Sequence, residues 1–133
     1  MADEVNVPIR IDLDIVTARQ QGRAVASEIG FSGSELTVIA TAISELARNI
    51  LKFAKVGEVI IRPIHQSTRW GIMIIARDQG PGIPNVQLAL RDGYTTSQGL
   101  GLGLPGARRL MDEFEIVSVV GKGTTVTIRK WIE

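Results

Sequence analysis

Glu45 and Asn49 lie four residues apart in a segment rich in apolar side chains. On a helix, this spacing places both side chains on one face, one turn from each other. The carboxylate can accept a proton from an attacking hydroxyl or water, and the amide oxygen is a hard ligand suited to Mg²⁺. Taken alone, the pair is explained more simply as an ordinary Glu–Asn contact on a polar helix flank.

A second polar cluster, the segment Asp78–Pro84, follows a predicted strand and reads DQGPGIP. Gly80 and Gly82 allow a ligand to approach the backbone closely. The Asp78 carboxylate could accept a hydrogen bond from an exocyclic amino group such as that of adenine. A tight turn closed by an aspartate side chain would have the same composition, so this segment leaves both interpretations open.

The third cluster is glycine-rich and runs from Ser97 to Leu110. The spacing of Gly101, Gly103 and Gly106 matches the dinucleotide-binding pattern. That pattern requires a buried strand before it and an acidic residue about 20 positions later, and neither is present. A Walker-type loop is excluded as well, since no Lys-Ser or Lys-Thr pair follows the glycines. Another kind of phosphate-binding loop or a flexible loop remains.

The elements that would position these clusters follow from hydrophobic periodicity and capping signals. Asp12 is expected to cap the first helix, and a Ser32/Glu35 capping box to begin the second. The predicted strands are 7–11, 58–64, 70–77, 114–120 and 124–132, and the predicted helices are 13–29, 32–55 and 105–113, with a short helical segment at 86–91. This order predicts an α/β fold, a two-layer α/β sandwich with three helices on a mixed β-sheet.

Composition limits the classes of function. At 133 residues and 44% hydrophobic, the chain can bury one core. Fifteen basic and fourteen acidic residues give a net charge of +1, so we expect no nucleic acid and no membrane among its partners. The absence of cysteine excludes thiolate metal sites and disulfides. We expect no secretory signal, and therefore a cytoplasmic location.

The three clusters, with the late hairpin segment Gly121–Thr125, together resemble the ATP-binding motifs of the GHKL superfamily, which includes gyrase B, Hsp90, histidine kinases and MutL. Within that superfamily, the motifs SELARNI, DQGPGIP and GLGLPGARRLMDEF are most similar to those of the RsbT-like serine kinases of the stressosome, which are related to the anti-sigma-factor kinases. The resemblance covers the chain from about Ile11 to its end. It implies a single histidine-kinase-like ATPase domain over residues 1–133 with the Bergerat fold.

The resemblance also implies roles for the residues of the second helix. Glu45 would be the general base that activates a substrate serine, and Asn49 would coordinate the Mg²⁺ that bridges the ATP phosphates. Lys52 either reaches a phosphate or is an ordinary solvated lysine, and both interpretations stay open. Arg48 is expected to project away from Glu45 and Asn49, towards a partner or the solvent.

The remaining nucleotide contacts implied by the resemblance lie in the other segments. Asp78 would bind the adenine amino group, and residues 85–98 would form a lid over the ATP. The expected nucleotide-binding set is completed by Gly80, Gly82, Ile83, Gly99, Leu100, Gly101, Leu102, Gly103, Leu104, Thr124 and Thr125. Of these, Gly99, Gly101 and Gly103 would offer backbone N–H groups to the phosphates. The helix predicted from Pro105 would add the positive end of its dipole.

The resemblance finally implies a function and partners. The expected activity is phosphorylation of serines in STAS-domain proteins, which serve both as substrates and as the scaffold of a stressosome-like complex. The released kinase would then bind and activate a PP2C-type phosphatase. His65 lies in a predicted hairpin loop, so we do not expect it to be a phosphoacceptor. Two alternatives stay open: an anti-sigma-factor serine kinase, and an adapter that binds ATP without catalysis.

Overall fold

The computed structural model describes residues 4–90 and 103–133. These residues form five strands and four helices. The strands are β1 (Val5–Ile9), β2 (Gly57–Gln66), β3 (Arg69–Asp78), β4 (Glu113–Val119) and β5 (Gly123–Trp131), and the helices are α1 (Asp12–Ile29), α2 (Ser34–Phe53), α3 (Val86–Ala89) and α4 (Gly103–Leu110). Each predicted element is found, with ends displaced by a few residues.

The strands form one sheet in the order β1-β2-β3-β5-β4. The predicted two-layer α/β sandwich is confirmed, with one correction to the mixed sheet: all four neighbouring pairs are antiparallel. Two of these pairs, β2–β3 and β4–β5, are joined by short hairpins, which require antiparallel strands. The helix count also rises from three to four because the short segment α3 is helical.

The core lies between the helices and one face of the sheet. Because side chains alternate across a strand, every second residue points towards the helices. On β3 these residues are Ile72, Ile74 and Ala76, all at most 3% exposed. The facing stripe of α2 contains Ile39, Ile43, Leu46 and Ile50. This packing fixes which face of α2 is turned towards the ends of the strands.

The capping interactions at the N-termini of α1 and α2 differ from the predicted ones. The carboxylate of Asp14, rather than that of Asp12, accepts hydrogen bonds from the backbone N–H groups of Arg10 (2.8 Å) and Ile11 (3.1 Å). These bonds, first that from Arg10, lower the pKa of Asp14 below its ordinary value. The predicted capping box of α2 is wrong, since the helix is preceded by Gly33 at φ 60° and has no side-chain cap.

Strand register determines the geometry of the site. Asp78, the last residue of β3, lies directly opposite Thr124 at the beginning of β5. On its other side, Asp78 pairs with Gly57 at the beginning of β2, a few residues after the end of α2. The end of β3 is therefore bordered by β5 and by the connection from α2.

Candidate functional site

The α2 face carries the predicted pair Glu45 and Asn49. Glu45 is only 6% exposed, and Asn49 is half-buried. Among the described residues, the Asn49 amide makes no hydrogen bond. A half-buried amide without a partner is available to a ligand.

The Glu45 carboxylate is held by two donors, one on each oxygen. Arg48 Nη1 donates to Oε1 at 2.8 Å, and the backbone N–H of Gly103 donates to Oε2 at 2.9 Å. The prediction that Arg48 projects away from Glu45 is therefore wrong, because the guanidinium folds back over one turn to reach the buried carboxylate. The Gly103 bond joins the beginning of α4 to the middle of α2.

Lys52 is not among the residues that line the hollow at Asn49, which is described below. Its side chain lines a surface hollow together with Asp12, Arg19 and Arg48. Its Nζ atom is 5.2 Å from the ring centroid of Phe53, a cation–π distance. A phosphate contact for Lys52 remains a prediction.

Asp78 is held at the corner formed by β3 and β5. Its Oδ1 accepts the backbone N–H of Gly80 at 2.9 Å and that of Thr124 at 3.3 Å. Within residues 4–90 and 103–133, its Oδ2 accepts no hydrogen bond. The protein thus fixes one oxygen of this carboxylate and leaves the other available for a donor such as an amino group.

Ser118 completes this corner and is not among the residues predicted from the sequence. Its hydroxyl accepts the backbone N–H of Ile83 at 2.7 Å and lies 2.7 Å from the hydroxyl of Thr124. The signal for it was present in the alternation of β4, where Phe114 and Ile116 pack against the core and Ser118 follows in phase. A polar residue at that inward position needs a hydrogen-bond partner.

The two predicted threonines lie on opposite faces of the sheet. Thr124 is 5% exposed on the helix side, in phase with the buried Val126 and Ile128. Thr125 points to the other side, where it pairs across the sheet with Arg77 and Val117. Strand alternation points Thr125 away from Asn49, and a nucleotide contact for Thr125 stays a prediction.

The glycines of the DQGPGIP segment are required by packing within the protein. A Cβ on Gly80 would lie 2.5 Å from the Cβ of Ala54. Gly82 adopts φ +80°, and a Cβ there would lie 2.5 Å from the carbonyl oxygen of Val119. Glycine at these positions brings the segment against α2 and the β4–β5 hairpin, and close approach of a base to Gly82 stays a prediction.

A small hollow joins several predicted site residues. Asn49, Gly82, Ile83 and Leu104 line a space of about 80 Å³, and the Leu104 side chain is itself 1% exposed. Ligand pockets ordinarily exceed about 300 Å³, so the hollow admits at most part of a nucleotide in this arrangement. A larger hollow of about 610 Å³ is bordered by Asp78 and Thr124 and extends past Arg77 and Val117 on the open face of the sheet. The predicted site residues therefore border both hollows, with Asn49 at the smaller one and Asp78 at the larger one.

Part of the predicted site lies outside the described residues. This applies to Gly99, Leu100, Gly101 and Leu102 and to residues 91–98 of the predicted lid. The described residues 85–90 contain α3, which Asn85 caps by accepting the backbone N–H of Leu88 at 3.0 Å. The lid therefore stays a prediction.

Comparison with known proteins identifies the family. Residues 8–130 match the model of the histidine kinase-like ATPase domain. The chain belongs to the histidine kinase-like ATPase family. Within this family it is 50% identical to the serine/threonine-protein kinase RsbT of Bacillus subtilis, over 99% of both chains. It is 33% identical to an anti-sigma F factor of Caldanaerobacter subterraneus, covering 86% of this chain and 83% of that protein.

A solved structure of another protein has the same fold. The mycobacterial sensor histidine kinase MprB superposes with a TM-score of 0.56 at 16% identity, covering 98% of this chain and 97% of that one. Together, the family match and the RsbT similarity make the chain an ATP-using serine/threonine-protein kinase of the partner-switching group. No helix among the described residues combines the length and apolarity needed to span a bilayer.

Proposed function

We propose that the chain transfers the γ-phosphate of ATP to serines of STAS-domain proteins in a stressosome-like complex. The observation that supports this most directly is the Glu45 carboxylate, buried and fixed beside the beginning of α4. One turn away lies the Asn49 amide, which makes no hydrogen bond within residues 4–90 and 103–133. The 50% identity to RsbT over nearly the whole chain adds the protein-kinase activity.

Glu45 is the proposed general base. The serine Oγ attacks the γ-phosphorus, the bond from that phosphorus to the leaving oxygen of ADP breaks, and the serine proton passes to a Glu45 oxygen. A carboxylate suits this task because it can accept the proton without moving from the rigid helix α2. Its position beside Gly103 places it at one end of the proposed phosphate-binding segment.

Asn49 is the proposed metal ligand on this chain. No group of three or more His, Asp or Glu side chains that could hold a metal occurs within residues 4–90 and 103–133. The donor set fits Mg²⁺, which binds few protein oxygens and keeps water and phosphate ligands. When bound, Mg²⁺ neutralises the negative charge of the phosphates.

Asp78 is the proposed adenine-binding residue, through its Oδ2. Thr124 supports the carboxylate with its backbone N–H, and Ser118 supports Thr124 and Ile83. Gly99, Gly101 and Gly103 are proposed to donate backbone N–H groups to the phosphates, with Lys52 as a further cation. For Gly103, such a bond competes with the one that it donates to Glu45 in this structure.

The proposed partners beyond the substrate are a PP2C-type phosphatase, which the released kinase binds and activates, and the STAS-domain scaffold itself. We place the protein in the cytoplasm. The anti-sigma F factor of Caldanaerobacter subterraneus, at 33% identity, favours a second candidate function in which the kinase captures a sigma factor. An adapter that binds ATP without catalysis is the third possibility, and the buried, fixed Glu45 carboxylate argues against it.

The deciding experiment incubates the protein with Mg-ATP and candidate STAS-domain proteins and locates phosphoserine by mass spectrometry. Phosphoserine on a STAS protein supports the proposal, whereas capture of a sigma factor in a matched pull-down supports the second candidate. Binding to STAS proteins with ATP but without phosphoserine would leave only the adapter. Stimulation of a PP2C-type phosphatase is tested separately, by adding the kinase to the isolated phosphatase.

A further inference from the structure

The ion pair between Arg48 and Glu45 is unequal in exposure. The Glu45 side chain is 8% exposed, whereas that of Arg48 is 48% exposed. Burying a carboxylate to this extent destabilises the folded protein unless charged or polar donors replace the water that it has lost. Arg48 supplies the charged donor, at 2.8 Å from Oε1.

The two donors to Glu45 come from different parts of the molecule. Arg48 lies three residues further along the same helix, so its distance from Glu45 is set by the α2 backbone. Gly103 belongs to α4, 58 positions away in sequence, and its N–H is also one of the proposed phosphate donors. If a nucleotide phosphate accepted the Gly103 N–H, Glu45 would lose that hydrogen bond and keep the one from Arg48.

We propose that Arg48 is a positioning residue for phosphoryl transfer. Its planar guanidinium fixes Oε1 of Glu45 and so directs Oε2 towards the beginning of α4, where the serine proton is received. This inference rests on the proposed role of Glu45 as the general base. It gives Arg48 a role in orientation and none in contact with the substrate.

A competing role for Arg48 is direct contact with the partner protein. Arg48 also lines the surface hollow that contains Arg19, Lys52 and Asp12, a predominantly basic patch open to solvent. A docking role predicts weaker binding of the partner. A positioning role instead predicts a slower chemical step at saturating partner, so the kinetic parameters separate the two.

The test compares Arg48→Gln and Arg48→Lys with wild type in steady-state transfer from Mg-ATP to a STAS-domain substrate. For Arg48→Gln we expect kcat to fall about 10- to 100-fold, as for a small displacement of a catalytic group, with an unchanged KM for the partner and an unchanged Kd for ATP. Arg48→Lys restores most of kcat because it keeps a charged donor within reach of Glu45. The control Arg23→Gln, which removes the charge of an exposed arginine on α1, leaves kcat unchanged.

A higher KM with unchanged kcat in Arg48→Gln would overturn the positioning role in favour of docking, and wild-type kinetics would overturn both. If the wild-type chain itself transfers no phosphate, the proposed function fails, and the pairing is tested separately by thermal unfolding. We expect Arg48→Gln to lower Tm in the wild-type background but not in a Glu45→Gln background. An equal decrease in Tm in both backgrounds would show that the side chains of Arg48 and Glu45 do not stabilise each other. That result would also overturn the positioning role of Arg48.

Discussion

Glu45 and Asp78 are two carboxylates on the helix side of the sheet, and the protein holds them in different ways. Asp78 receives both of its hydrogen bonds on a single oxygen, from the backbone N–H groups of Gly80 and Thr124. Glu45 receives one bond on each oxygen, from the Arg48 side chain and from the Gly103 backbone. Among the residues that the structure describes, the Asp78 carboxylate keeps one oxygen without a hydrogen bond, and the Glu45 carboxylate keeps none.

This difference follows from the elements involved. The Asp78 corner is built from neighbouring strands whose ladder register fixes the Thr124 N–H, so it is preorganised for binding. The orientation of the Glu45 carboxylate depends on the position of Gly103 at the beginning of α4 and on the long side chain of Arg48. The comparison predicts that single substitutions can abolish nucleotide binding and phosphoryl transfer independently of each other. Four substitutions are described below, from the largest expected effect to the smallest.

Glu45→Gln tests the catalytic side of the comparison. The amide cannot accept the serine proton, so we expect transfer to the STAS-domain partner to fall about 10²- to 10⁴-fold, the range for removal of a general base. The Kd for ATP should stay close to the wild-type value, because Asp78, Asn49 and Lys52 are unchanged. Radiolabel transfer and ATP titration measure the two quantities, and wild-type transfer in this variant would exclude the assigned role.

Asp78→Asn tests the binding side. Its amide oxygen can still accept the N–H groups of Gly80 and Thr124, so the corner should remain folded. The amide nitrogen replaces the free acceptor oxygen, and the loss of a hydrogen bond to a charged group weakens ATP binding about 10- to 100-fold. GTP, whose base presents an oxygen at the equivalent position, should lose less affinity. Equal affinity of wild type and variant for ATP would show that Asp78 does not bind the base.

Ser118→Ala tests the support of the Asp78 corner. The Ile83 N–H and the Thr124 hydroxyl lose a partner in a partly buried region, which should lower the free energy of unfolding by about 1–2 kcal/mol. Chemical denaturation measures this change. The control is Thr125→Ala on the opposite face of the sheet, which leaves both of these bonds intact. An equal decrease in the free energy of unfolding in both variants would show that the Ser118 hydrogen bonds do not stabilise the fold more than the Thr125 side chain does.

Asp14→Asn examines a carboxylate that, like Asp78, accepts two backbone N–H groups but has no assigned ligand. Because folding lowers the pKa of Asp14 from 3.8, its charge stabilises the fold above that pH, and this contribution is lost as the pH falls through the folded value. We expect a lower Tm than wild type at pH 7, convergence of the two Tm values at strongly acidic pH, and unchanged kinase activity at pH 7. A Tm difference that persists in acid would contradict the charge-based explanation.

Much of the fold was predictable because its signals are local. The hydrophobic periodicity of α2 and the position of β3 depend on residues close together in sequence, and both elements were predicted from the sequence. The strand directions were not, because pairing depends on contacts between distant segments; the mixed sheet was therefore wrong. The start of α1 was predicted to within one residue, but the capping carboxylate was assigned to Asp12 instead of Asp14, because only the backbone path near Arg10 selects Asp14.

The sequence alone determined the adjacency of Glu45 and Asn49, since the helical period fixes neighbours four residues apart. It also determined that Asp78 ends a buried strand. The tertiary structure alone decided that Gly103 reaches Glu45 and that Ser118 and Thr124 share a hydrogen bond at the Asp78 corner. The periodicity of a helix or strand determines which side chains share a face. Hydrogen bonds between residues 46 or 58 positions apart, by contrast, form only when the elements pack against each other.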